Sequence, residues 1–150
     1  MRPLFLLASL ALLTAPGARA QSAADSAAVR AAAMDYLEGW YGADIDRMAG
    51  ALHPDLAKRI VRTDSAGASR LDGMSKHTLL GITRRGGGSR TPADLQRKDV
   101  VILDLEGDNA SVKTYADTFF DYIHLARLDG EWKIVNVLWG LLPPDEHARR

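Results

Sequence analysis

The sequence predicts an α+β fold in which N-terminal helices pack in the concave face of a strongly curved antiparallel sheet. Two observations carry this expectation. Apolar residues recur at helical spacing as far as Ile82, and from Lys98 onward they alternate with a period of two. The strand-like run over residues 110–128 is about three times a usual strand of roughly six residues, so it should bend or bulge near Ala116 to Thr118 and curve its sheet.

At the start of the chain, Met1-Arg2 is cationic, residues 4–13 are almost wholly apolar, and Thr14-Ala15-Pro16-Gly17 breaks any helix before Ala18-Arg19-Ala20. This pattern predicts a signal peptide over residues 1–20, cleaved ahead of Gln21, and hence an exported, periplasmic or secreted protein. The apolar run is well short of the roughly 20 residues a bilayer core requires, so no membrane association is expected after cleavage. Residues 21–150 then form a single domain with its core at about 27–142.

Ser22-Ala23-Ala24-Asp25 has the form of a capping box, and Val29, Ala33, Tyr36, Leu37 and Trp40 follow on one helix face that Gly42 ends. Asp44 caps a second helix with Ile45, Met48, Ala49 and Leu52 on one side, ended by His53-Pro54. Residues 56–63 read as a strand. Ser75 caps a third helix bearing Leu79, Leu80 and Ile82, which Gly86-Gly87-Gly88 terminates, and a mobile loop to about Pro92 is expected next. Strand candidates at 100–106, 110–128 and 131–142 are separated by Gly107-Asp108-Asn109 and Asp129-Gly130.

A two-residue turn at Asp129-Gly130 pairs Leu128 with Glu131. Counting back pairs His124 with Val135, Tyr122 with Val137 and Phe120 with Trp139 on one face. Ile123 with Asn136, Leu125 with Ile134, and Asp121 with Leu138 share the other. Both faces are largely apolar, so the first is expected to line an interior pocket and the second to pair with another copy of the chain.

Composition removes several function classes. The 150 residues carry 19 Lys+Arg against 19 Asp+Glu and no Cys, with a pI near 6.9. No basic stripe exists for a phosphate backbone, so nucleic acid is not an expected partner. Disulfides, thiolate zinc sites and cysteine nucleophiles are excluded, and removal of Arg2 and Arg19 leaves 17 basic against 19 acidic side chains. His53, His77, His124 and His147 are widely separated, so neither a metal site nor a cofactor is expected, and no G-x-S-x-G elbow marks a serine hydrolase.

The remaining candidates each have a structural reading beside a functional one. Tyr36 and Trp40, one helical turn apart, offer a stacking wall and a hydroxyl donor, or simply fill the core. Tyr122 and His124 share a face, and with Asp121 or Asp117 turned in by a bulge they form a candidate catalytic set: a tyrosine donor polarising a carbonyl while a base removes a proton. Their structural reading is a partly buried ring, a neutral core histidine and a hydrogen-bond anchor. Asn136, in an apolar strand, needs polar partners from a ligand or a helix end. His53 suits a base or a helix C-terminal cap. Arg84-Arg85-Gly86-Gly87-Gly88-Ser89-Arg90 reads as a solvated loop or an anion cradle.

The order of helices, weak strand, helix and long hairpins is that of the nuclear transport factor 2-like superfamily, a cone of sheet wrapped over helices. The hairpin residues DYIHLARLDGEWKIVNVLW, 121–139, resemble the terminal hairpin of its lumazine-binding-like family, and His53-Pro54-Asp55-Leu56-Ala57-Lys58-Arg59 is similar to that family's segment after the second helix. The resemblance implies a conical pocket for a small organic molecule and a homodimer formed through the outer sheet face. Tyr36, Trp40, Phe120, Asn136, Val137 and Trp139 are the expected ligand-binding residues. The expected function is an exported small-molecule-binding protein. Its alternatives are an acid/base enzyme of isomerase or dehydratase type, with Tyr122 or Tyr36 as donor and Asp117, Asp121 or His124 as base, and a structural dimer with a filled cone.

Overall fold

A computed structural model describes residues 17–143, with side chains from residue 23 onward. Residues 1–16, which hold most of the expected signal peptide, lie outside the described residues. Helix α1 spans Gly17–Gly42, α2 Ile45–Ala51 and α3 Lys76–Arg84. The strands are β1 Leu52–Thr63, β2 Ser69–Ser75, β3 Asp99–Glu106, β4 Asn109–Tyr115, β5 Phe119–Leu128 and β6 Glu131–Leu141. They form one curled sheet in the order β2-β1-β6-β5-β4-β3 with the helices in its concavity, which is the expected α+β architecture. The sheet is mixed, because β1 runs parallel to β6 while every other pairing is antiparallel.

α1 begins at Gly17, upstream of the expected capping box, so Ser22 to Asp25 lie inside the helix. Its buried face carries Val29, Ala33, Tyr36 and Leu37, the spacing read from the sequence. The helix ends in a Schellman arrangement: Asp44 N–H donates to the Gly39 carbonyl at 3.0 Å and Ala43 N–H to the Trp40 carbonyl at 3.4 Å. The left-handed residue there is Ala43, with φ 52°, and not Gly42. A glycine is needed at position 39, where a Cβ would come within 2.9 Å of the Met48 backbone nitrogen and push α1 off α2. Asp44 caps α2 through Arg47 N–H, and Ser75 caps α3 through Thr78 N–H, as expected.

Two features of the sheet depart from expectation. The run over 110–128 is two strands and not one bent strand: β4 turns back on β5 through Ala116 to Thr118, closed by Ala116 N–H to the Phe119 carbonyl at 2.9 Å. Strands β3 to β6 are therefore a four-stranded meander. The second departure is a bulge. Leu125 pairs with Ile134 but His124 pairs with Asn136, which leaves Val135 as an extra residue in β6. Beyond it, Asp121 faces Trp139, Tyr122 faces Leu138, Ile123 faces Val137 and Phe120 faces Gly140.

The bulge moves Val137 and Trp139 from the face of Tyr122 to the face of Asp121. The concave, helix-covered face accordingly holds Asp121, Ile123, Leu125, Ile134 and Val137, all buried. Leu125 and Ile134, expected on an outer pairing surface, are core residues, and Tyr122 and His124 are on the exposed convex side. β2 was not anticipated at all; Ser69-Arg70-Leu71-Asp72-Gly73-Met74-Ser75 contains no β-branched or aromatic residue.

Candidate functional site

The concave face carries one polar cluster inside its apolar core. Strand β1 alternates with period two, so Leu56, Lys58 and Ile60 all point inward and are buried. Lys58 Nζ forms an ion pair with Asp121 Oδ1 from β5 and donates to Tyr36 Oη from α1 at 2.8 Å. The Tyr36 hydroxyl donates in turn to Asp121 Oδ1 at 3.5 Å, and Thr114 Oγ1 from β4 donates to Asp121 Oδ2 at 3.3 Å. Three elements thus converge on a carboxylate carried by a fourth.

Burial dominates the electrostatics of the cluster. It pushes the Lys58 ammonium below the ordinary lysine value, against the opposing pull of the Asp121 charge. It also raises the Tyr36 hydroxyl well above its usual value, with the Asp121 charge and hydrogen bond acting in the same direction. The pair has left water for a site where two unpaired charges would each cost several kcal/mol, so Lys58 and Asp121 depend on one another.

A small chamber of about 130 Å³ lies against this cluster. Tyr36 and Lys58 close one end of it, their polar atoms turned onto one another and onto Asp121; Trp40, Phe119 and Trp139 form its aromatic side, and Met74, Leu79 and Ile82 its aliphatic side. The three aromatic rings pack edge to face in series, Trp40 to Phe119 and Phe119 to Trp139, each with centroids 6.0 Å apart. Lys58 Nζ stands 4.8 Å from the Trp139 ring centroid. The same three rings border a wider, open space of about 560 Å³, rimmed by Gly88, Arg90 and Asp117. Trp139 Nε1 is buried without a hydrogen-bond partner among the described residues, in a ring that borders both spaces.

The rim is fixed by close backbone approach. A Cβ on Gly88 would lie 2.3 Å from Trp40 Nε1, so a glycine is the residue that lets the loop seat against the indole. Arg85, Gly86, Gly87, Gly88 and Ser89 all donate their backbone N–H groups to carbonyls, Gly88 to that of Trp40 at 3.0 Å. The segment expected to be a mobile loop is tied to α1 and α3, and the N–H groups an anion cradle would need are already engaged.

Of the sequence candidates, Tyr36, Trp40, Asp121 and Trp139 come together at the chamber. Val137 is core beneath it. Phe120, Tyr122, His124 and Asn136 lie on the convex face, where Tyr122 is 41% exposed. Asn136 finds its partners there: its Oδ1 accepts from Arg59 at 3.2 Å and its Nδ2 lies 3.3 Å from His124 Nδ1. The bulge at Val135 is the reason these residues and the chamber residues are separated. Asp117 stands at the outer rim, its N–H donating to Tyr41 Oη at 2.8 Å. His53 is not a helix cap, because α2 closes through Leu52 N–H to Ala49, and its Nδ1 accepts from Asp55 N–H at 3.1 Å.

Lys58, Thr114 and Phe119 were missed as site residues. The signal was present for Lys58, a lysine set between Leu56 and Ile60 on the apolar parity of a strand. Among the described residues no group of three metal-ligating side chains occurs, and no helix is long and apolar enough to cross a membrane.

The family described as "Putative lumazine-binding" matches residues 24–140. The chain belongs to this family. Solved structures carry the same fold at low identity, so the likeness is one of architecture. A nuclear transport factor 2-like protein with a cystatin-like fold from Novosphingobium aromaticivorans is 15% identical with a TM-score of 0.63, over 91% of this chain and 94% of that one. One of unknown function from Silicibacter pomeroyi is 16% identical with a TM-score of 0.62, over 81% and 98%. Another of unknown function, from Shewanella baltica, is 19% identical with a TM-score of 0.59, over 81% and 96%. No curated protein matches the chain. The lumazine-binding-like family is thus joined here to a nuclear transport factor 2-like cone whose concave side holds the Lys58 cluster.

Proposed function

We propose that this protein binds a small, flat, electrically neutral organic molecule in the conical cavity, with its polar edge toward Lys58. The observation that carries the reading is the chamber itself: an almost wholly apolar lining with three aromatic rings on one side and aliphatic side chains on the other, closed at one end by Tyr36 and Lys58. The charges of Lys58 and Asp121 cancel, so an anion gains a cation but meets a carboxylate, while a neutral carbonyl or ring nitrogen is free of that conflict. The inner chamber is the size of a single ring, since a cavity of about 150 Å³ holds benzene, and a larger heterocycle would extend into the outer space.

The probe is lumazine, followed through tryptophan fluorescence. Trp40 and Trp139 should be quenched on titration, and Trp40→Ala should weaken binding about tenfold. An unchanged affinity in folded Trp40→Ala and Trp139→Phe proteins would remove the ligand from this cavity.

Acid/base chemistry is the second reading, favoured by the contact of Tyr36 Oη with both Lys58 and Asp121. Its donor and base would be Tyr36 and Asp121, with Tyr122 and His124 remote on the other face. Two further elements belong to the proposal. Export would remove residues 1–20, checked by N-terminal sequencing of the extracytoplasmic protein. Pairing of two copies would use convex-face residues Phe120, Tyr122 and Leu138, checked by sedimentation of the wild type against Leu138→Lys.

A further inference from the structure

The end of the inner chamber combines three things that a carbonyl-trapping amine requires. Lys58 lines the cavity and is the only charged side chain among the described residues that does so. Its Nζ is held by Tyr36 Oη at 2.8 Å and by the Asp121 carboxylate, so it has a fixed position and an adjacent proton acceptor. Asp121 is itself anchored by Thr114, which keeps its second oxygen occupied and its first on the amine. Lys58 is itself buried among apolar walls, and desolvation in such a setting is what turns a lysine into a nucleophile.

We propose that Lys58 captures a small aldehyde or ketone as an imine, with the carbonyl-bearing ring or chain seated against Trp40, Phe119 and Trp139. This rests on the reading that a small neutral molecule enters the chamber. In the first step Asp121 takes one proton from the Lys58 ammonium. The free amine attacks the carbonyl carbon, forming the C–N bond as the π pair moves to oxygen, and Asp121 returns the proton to that oxygen. The nitrogen then gives a second proton to Asp121, which delivers it to the hydroxyl. Water leaves with the C–O bond pair while the nitrogen lone pair closes the C=N bond. The sum is ammonium plus carbonyl to protonated imine plus water, with Asp121 ending as it began, a carboxylate beside a cation. No oxidant or reductant is consumed, and the site stays neutral at both ends of the reaction. The lowered Lys58 pKa is in keeping with the first proton transfer.

Benzaldehyde is the probe, because one ring fits the chamber. The chain is incubated with benzaldehyde and sodium cyanoborohydride, which reduces the imine to a stable secondary amine, and labelled lysines are mapped by peptide mass spectrometry. Lys58 should label at least tenfold faster than Lys113 or Lys133, and Lys113→Arg should leave that rate unchanged. Asp121→Asn should slow labelling at least tenfold while the protein remains folded by circular dichroism. Benzyl alcohol, of the same shape without the carbonyl, separates the two claims through its effect on tryptophan fluorescence. If benzyl alcohol binds and Lys58 is labelled no faster than surface lysines, imine formation is overturned and the binding reading stands. If neither molecule perturbs the tryptophans and Lys58 stays unlabelled, both fall.

Discussion

Two lysines on opposite faces of the sheet are each set among three aromatic rings. Lys58 lies 5.5, 5.8 and 4.8 Å from the centroids of Tyr36, Phe119 and Trp139. Lys113, on the convex face, lies 4.7, 5.3 and 4.9 Å from Tyr115, Phe120 and Tyr122. The ring distances barely differ, yet the protonation equilibria move apart. Lys58 is pushed down by burial. Lys113 is pushed up, chiefly by hydrogen bonding to the Tyr115 and Tyr122 hydroxyls, because water still reaches it and desolvation is slight. A ring of aromatic faces therefore does not set the chemistry of an amine. Loss of water does, and only the concave face imposes it.

The largest effect should come from testing which face is dry. Leu125→Lys places an unpaired charge in the core and should cost more than about 4 kcal/mol in urea unfolding, enough to abolish folding in a marginal domain. Tyr122→Lys, on the neighbouring exposed face, should stay folded and lose about 1 kcal/mol or less. The reverse ranking would mean that the register has been assigned to the wrong parity.

Next comes the comparison of the two lysines themselves. Lys58→Met leaves Asp121 buried without its cation and should destabilise by about 3–5 kcal/mol, much of it recovered in Lys58→Met/Asp121→Asn. Lys113→Met removes an exposed cation–π contact worth at most about 1 kcal/mol. Equal unfolding midpoints for the two single variants would erase the contrast.

The smallest effect sharpens the contrast through pH. Tyr36→Phe should cost about 1–3 kcal/mol near neutrality by removing a buried hydrogen bond. The folded hydroxyl titrates above the ordinary tyrosine value of about 10, so the stability it gives is present below that pH and is lost as pH rises through its folded value. The advantage of wild type over Tyr36→Phe should therefore shrink above pH about 10. Lys58 contributes in the opposite sense below about 10.4, where the unfolded chain holds more protons than the folded one, so the window above that pH is the one that isolates the Tyr36 hydroxyl. A pH-independent difference between the two would place the Tyr36 hydroxyl outside the cluster.

Local signals were readable where local chemistry decides. The caps at Asp44 and Ser75, the inward face of α1 and the Asp129-Gly130 turn depend on residues within a few positions of one another. The β4–β5 turn was hidden because Ala116-Asp117-Thr118 contains no glycine or asparagine to mark a reversal. The site was half legible for a different reason. Tyr36, Trp40, Asp121 and Trp139 each stood out by type, but their company depends on Val135, and nothing in Ile134-Val135-Asn136-Val137 distinguishes the residue that drops out of the ladder. Lys58 was overlooked because a charged residue on an apolar strand parity reads as an interruption until its partner, some sixty positions further along, is known to face it.

That single unpaired valine makes the phase of β6 a matter of which residue is held out of the ladder. Val135 can be exchanged for another side chain, and even its deletion would leave His124 opposite Asn136 and Asp121 opposite Trp139 with only the bulge lost, whereas drawing Val135 into the ladder would return Val137 and Trp139 to the side of Tyr122 and carry Leu138 inward. In comparing relatives, a one-residue gap at Val135 is then a lost bulge and not a change of phase: the residues aligned with Val137 and Trp139 would still stand on the side of the lysine.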